Sequence, residues 1–257
     1  MSASPCVITN QDIEFLIREG SMHTPFAHNL IPAIREGWHD LLDEPGEYRS
    51  QWTFAPEEHG REIGYFRRDG LMRNPGSAPD DFKQFFHFYH DLPGLLASRR
   101  VRYQAYDTWM DDMEALRTRC ARMAHTVALG LDRMYGLDLA ERLRQSEHVG
   151  FLRLLSYDLV RSREARREMM GKGHTDGSYL TLHIWDEYSC LMLGREADGQ
   201  ILHQGMPDTA LVFFGNQAEK ETRGMFKSMY HAISGDPALV PADARTRDAI
   251  IYFADLA

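Results

Sequence analysis

The sequence has 257 residues, 43% of them hydrophobic and 26% charged, with 29 basic against 38 acidic side chains and a formal net charge of −9. This apolar content suffices for a real core and excludes a highly charged disordered chain, while the negative balance argues against a partner held through its phosphate backbone. No apolar run reaches the ~18 residues of a membrane span, and the opening MSASPCVITNQDIEF has no basic leader followed by an apolar block, so a cytoplasmic location is expected.

Taken in chain order, residues 29–42 read as a short helix. Residues 80–92 read as a second one, with Phe82, Phe85, Phe86, Phe88 and Tyr89 as a core-facing stripe. Tyr106, Trp109, Met110, Met113, Leu116, Cys120, Met123, Val127, Leu131 and Met134 recur at steps of three and four, the pattern of a long helix with one apolar face, and Gly136 stands where a glycine would end it. Cys6, Cys120 and Cys190 are an odd number at wide spacing, which suits neither a disulfide framework nor a zinc cluster.

Beyond residue 148 the period shortens. Strands are expected at 150–157, 179–185, 190–193, 200–204, 209–214, 225–233 and 247–253, with Asp198-Gly199 as a hairpin turn. Many short antiparallel strands after a helical segment predict an α+β chain with a mainly β core, a jelly roll packed against N-terminal helices. One domain is expected over 1–257, with 1–147 mainly helical and 148–257 forming the jelly-roll core. GxGxxG, GxxxxGK[ST] and GxSxG are all absent, which removes the motif evidence for dinucleotide, P-loop and serine-hydrolase chemistry.

The most informative residues are His174-Thr175-Asp176 and His231. In extended backbone, positions i and i+2 share a face, so His174 and Asp176 can offer an imidazole and a carboxylate to one ion. A third ligand must come from another strand, and two histidines with one carboxylate form the facial set of non-haem Fe(II) oxygenases. By residue type alone, His183 and His203 could serve as the distal ligand as well as His231.

The surrounding sequence is more specific. HTD at 174–176, LTL at 180–182, DG at 198–199, ALVFFG at 210–215 and TRGMFKSMYH at 222–231 follow one another in the order and spacing found in the isopenicillin N synthase-like 2-oxoglutarate/Fe(II)-dependent dioxygenases, which this stretch resembles. FLRLLSYD at 151–158 is similar to that family's LRxNxYP strand, and RDAIIYFAD from Arg247 to its final R-x-S strand. The resemblance covers about 110 residues well and the first hundred loosely.

This resemblance implies a double-stranded β-helix in which His174, Asp176 and His231 bind Fe(II) and Arg247 holds the distal carboxylate of 2-oxoglutarate. A guanidinium fork suits that role because it matches a carboxylate bidentately. Tyr157 would add a phenolic contact there or serve as a core tyrosine. The implied reaction consumes O2 and 2-oxoglutarate, releases succinate and CO2, and oxidises a small organic substrate, with hydroxylation as the default; no nucleic-acid or membrane partner is implied. The alternative is a non-catalytic or non-redox jelly-roll protein using the same three ligands for another divalent ion. Ala249 replaces the family's serine, 16 residues rather than about ten separate His231 from Arg247, and Arg245 shares a strand face with Arg247, leaving either arginine as the anchor. Arg161, Arg163, Arg166 and Arg167 could attract an anionic substrate or simply form a solvated loop with Glu164 and Glu168.

Overall fold

Residues 246–254 carry Arg247, Ala249, Ile251 and Phe253 on one face and Asp248, Ile250, Tyr252 and Ala254 on the other, and all eight are buried. A strand with nothing exposed on either face must lie between two layers. The computed structural model, which describes residues 8–70, 81–194 and 201–257, places it there.

Twelve strands are found among the described residues: β1 (Ser21–Pro25), β2 (Thr53–Phe54), β3 (Ile63–Asp69), β4 (Phe82–Phe88), β5 (Phe151–Asp158), β6 (Met169–His174), β7 (Leu180–Asp186), β8 (Leu191–Gly194), β9 (Ile201–Leu202), β10 (Thr209–Phe214), β11 (Tyr230–Ser234) and β12 (Thr246–Ala254). The larger sheet has eight strands in the order β1-β10-β7-β12-β5-β4-β3-β2, and the smaller has four in the order β6-β11-β8-β9. All pairings are antiparallel. The two sheets enclose a cavity lined from both sides, by β5, β7 and β12 on one and by β8 and β11 on the other. This is the expected jelly roll with flanking helices.

Helices cover the outer face of the larger sheet. Helix Asp107–Tyr135 buries Trp109, Met113, Leu116, Cys120, Val127 and Leu131 at helical spacing and packs against β5, β7 and β12. Gly136 takes the left-handed conformation (φ 64°) and returns its N–H to the Asp132 carbonyl, a glycine C-cap at the expected place. Helix Ile31–Asp43 packs so closely on it that a Cβ at Gly37 would stand 2.3 Å from Trp109 Cδ1. Trp38 ties the same helix to the sheet by donating from Nε1 to Ser156 Oγ at 2.8 Å.

Three expectations need correction. Residues 80–92 are not a helix: Phe82–Phe88 form β4, paired in register with β3 and β5. The aromatic run satisfies both periods; Phe85 and His87 share the face of Lys83, which lines the cavity, while Phe86 and Phe88 face the helices, and bulky aromatic residues favour the pleated surface. The first 147 residues are therefore less helical than expected, since β1 to β4 all join the larger sheet. Its edge strand β1, not expected from the sequence, pairs Met22 with Val212. Finally, the strand expected over 225–233 begins only at Tyr230, because Phe226 N–H is drawn to Thr222 Oγ1 in a preceding turn. The Asp198-Gly199 turn and Cys6 lie outside the described residues.

Candidate metal centre and its cavity

His174 ends β6 and pairs directly with His231 on β11, so the register of the smaller sheet sets the two imidazoles side by side, with ring centroids 4.4 Å apart. Asp176 follows two residues later, where its main-chain carbonyl accepts from Asn216 N–H at 2.7 Å. Its Oδ1 stands 3.6 Å from His174 Nε2 and 3.7 Å from His231 Nε2. One ligating atom from each residue lies within 4.8 Å of the others, and this is the one such group of His, Cys, Asp and Glu among the described residues.

The surroundings fix which atom each ligand presents. His174 Nδ1 lies 2.8 Å from the Lys172 carbonyl and His231 Nδ1 3.2 Å from the Met229 carbonyl. A carbonyl only accepts, so each Nδ1 carries a proton, which in the neutral tautomer leaves the Nε2 lone pair for an ion. Burial lowers the His231 pKa against the pull of Asp176, which favours the neutral, ligating form. Thr181 Oγ1 donates to Asp176 Oδ2 at 2.8 Å, leaving Oδ1 as the inward oxygen. Asp176 and His231 are buried, whereas the His174 side chain keeps 49% of its exposure, so the group opens on that side.

Arg247 lines the same cavity, fully buried, one strand over from Tyr157, with its guanidinium carbon 5.6 Å from the Tyr157 ring centre. Its Nη2 donates to Asp186 Oδ2, but Nε and Nη1 have no hydrogen-bond partner among the described residues. Burial opposes ionisation of Asp186, yet the Arg247 charge holds its carboxyl below the ordinary value. Two unsatisfied donors on a buried, charged fork are a ready anion seat. Arg245, the other candidate, is exposed and lines a separate hollow. His183 shares the cavity, 3.4 Å from Asp186 Oδ2, and His203 stacks on His23 at 4.9 Å in a neighbouring one; neither joins His174 and Asp176. Ala249 faces the cavity from two residues beyond Arg247 and offers no hydroxyl.

In the arginine-rich segment, Arg161 and Arg163 are half-buried on the short helix Leu159–Glu164 and are held by neither of the glutamates beside them in sequence. Arg161 pairs with Asp69 at 2.8 Å, and Arg163 donates to the Ala244 carbonyl at 2.8 Å. Sequence reasoning missed Thr181, Asp186, Lys83, Arg153 and His87. Arg153 was accessible in principle: it lies four residues before Tyr157 on one strand, hence on the same face.

The donor set, two imidazoles and a carboxylate with further positions open, fits Fe(II), and the unsatisfied Arg247 fits a dicarboxylate cosubstrate. No family model matches the sequence. Jasmonate-induced oxygenase 4 of Arabidopsis thaliana is 22% identical over 212 residues, 80% of this chain, and the match spans 57% of that relative's length. Among solved structures, a full-length Neurospora crassa protein in complex with alpha-KG matches with a TM-score of 0.76 at 15% identity, over 96% of this chain and 80% of its own. A 2OG-Fe(II) oxygenase family protein from Caulobacter crescentus matches with a TM-score of 0.73 at 22% identity, over 96% of this chain and 81% of its own. JOX2 in complex with 2OG, Fe and JA matches with a TM-score of 0.68 at 18% identity, over 96% of this chain and 71% of its own.

Proposed function

On the premise that this chain has the fold of the 2-oxoglutarate/Fe(II) oxygenases, we propose that it is a non-haem Fe(II)- and 2-oxoglutarate-dependent dioxygenase that hydroxylates a small organic molecule and releases succinate and CO2. His174, Asp176 and His231 hold the iron. Arg247 takes the distal carboxylate of 2-oxoglutarate through Nε and Nη1, with Tyr157 packed at that end. The observation that carries this reading is the coexistence, in one cavity, of the His/Asp/His group and a buried guanidinium with two unused donors.

Bound iron and 2-oxoglutarate supply the oxidising power together with O2. The chain's own groups position and exclude. Asp186 pairs with Arg247, so that this buried guanidinium is not an isolated charge. Phe213, Phe253, Ile233 and Leu191 wall the cavity with apolar surface, which keeps water from the reacting centre. The order of His174, Asp176, His231 and Arg247, with Tyr157 upstream, supports the isopenicillin N synthase-like branch, and the sharing of one sheet by β1 to β5 supports a single domain over 1–257. Thymine and JA, named as bound beside alpha-KG or 2OG in solved structures similar to this chain, support a small-molecule substrate.

Anaerobic titration with Fe(II) and then 2-oxoglutarate tests the assignment. A weak visible metal-to-ligand band that requires both additions is expected. Its absence despite stoichiometric metal binding would favour a non-redox metal protein.

A further inference from the structure

The cavity holds a third guanidinium or ammonium group beyond what iron and 2-oxoglutarate need. Of its cations, Arg247 is paired with Asp186, and Lys83 with Asp81 at 2.9 Å. Arg153 has no carboxylate partner among the described residues; its one hydrogen bond runs from Nε to His87 Nε2 at 2.9 Å. Its guanidinium carbon lies 4.7 Å from the Phe253 ring centre, with Phe85 and Phe151 at 5.7 and 5.9 Å, so aromatic faces hold the group while its two terminal nitrogens remain uncommitted. Arg153 is half-buried, and burial lowers its pKa against the attraction of Asp176 and the other acids around it.

His87 aims the fork. Arginine can only donate, so His87 Nε2 must be the acceptor and Nδ1 the protonated nitrogen, which donates to the Glu62 carbonyl at 3.1 Å. That tautomer requires a neutral ring, and burial drives the His87 pKa well below the ordinary value. Position separates Arg153 from the cosubstrate anchor. Arg153 pairs with Ile251, whereas Arg247 pairs with Tyr157 farther along β5; the next inward pair beyond Ile251 is Phe253 with Thr181, the residue that holds Asp176. Arg153 thus lies toward the Asp176 end and Arg247 at the other.

We propose that the substrate of this site carries a carboxylate-class anion bound bidentately by Arg153, with His87 as the positioning residue. This rests on the oxygenase reading above but is separable from it. The test is calorimetry on the anaerobic Fe(II)/2-oxoglutarate protein with a panel of aryl- and alkylacetic acids, each paired with its neutral amide. Wild type should bind at least one acid about tenfold more tightly than its amide, the scale of one charge-assisted fork. Arg153→Gln should abolish the preference without weakening 2-oxoglutarate, and Arg153→Lys, which keeps the charge but not the fork, should retain part of it. His87→Leu should weaken acid binding and leave the amide alone, and His87→Gln, which keeps an acceptor, should restore it. Equal binding of acids and amides across the panel, or an acid preference that survives Arg153→Gln, overturns the proposal. Loss of 2-oxoglutarate affinity in Arg153→Gln also overturns it, by moving Arg153 to the cosubstrate. If the visible band fails to form in wild type, the oxygenase reading falls, and the same acid and amide comparison on the metal-free protein still decides the anion site.

Discussion

At the scale of single residues, the metal group depends on hydrogen bonds that are not themselves ligand bonds. Thr181 Oγ1 occupies Asp176 Oδ2 and so selects the free oxygen. Thr181→Val, which preserves shape and removes the hydroxyl, should weaken Fe(II) binding about 10- to 100-fold, the usual cost of losing such support, and Asp176→Ala should abolish iron-dependent succinate formation. Both are checked by metal titration and succinate assay. Arg247→Leu should raise the KM for 2-oxoglutarate at least about tenfold by removing a charge-assisted fork, while Arg245→Leu, altering an exposed side chain in another hollow, should leave it unchanged. The reverse pattern in steady-state kinetics would move the anchor. The convergence of His174, Asp176 and His231 was legible in sequence because two lie at i and i+2 and the third sits in a matching motif. Arg153 and His87 were not, because their meeting depends on the pairing of β4 with β5, and the aromatic run of β4 itself imitates a helix.

At the scale of elements, the loop carrying Asp176 is seated by a glycine. A Cβ at Gly215 would fall 2.2 Å from the Ser178 carbonyl oxygen and 2.9 Å from that of Asp176, both backbone atoms that cannot swing away. Gly215→Ala should therefore displace the loop and reduce metal affinity more than global stability, a split that metal titration beside urea unfolding would measure. The elements with a single strong period were legible, as helix Asp107–Tyr135 with its Gly136 cap illustrates. Those serving two layers were ambiguous: FKQFFHF has aromatic residues on both faces because helices cover one side and the cavity lies on the other. β1 was invisible because SMHTP buries only Met22 and Thr24, too little for an alternation to register, and it is held instead by its register with β10.

For the whole molecule, buried and half-buried histidines link stability to acidity. His23, His87, His203 and His231 are all held below the ordinary histidine pKa by burial, His203 at about 4. Between about pH 6.5 and 4 the unfolded chain protonates His203 and the native chain does not, so its contribution to stability is present above pH 6.5 and lost as pH falls through that window. Asp255, raised to about 6 by burial, and His39, raised chiefly by its hydrogen bond to Asp248, act with the opposite sign. In metal-free protein, His203→Gln should therefore flatten the dependence of the urea midpoint on pH between about 6.5 and 4. An unchanged slope would place the acid sensitivity elsewhere.

The position of β12 also governs how the molecule can be assembled. It lies between β7 and β5 and so joins the β1-β10-β7 half of the larger sheet to the β5-β4-β3-β2 half, yet it is formed by residues 246–254, synthesised after every strand it unites. A nascent chain therefore emerges as two incomplete ribbons with open edges, and the contacts that close them join residues 63 to 102 apart in sequence, while Met22 and Val212 are 190 apart. High contact order of this kind slows folding and prolongs the exposure of unpaired edges, which makes termination before Thr246 a route to aggregation rather than to a smaller working protein.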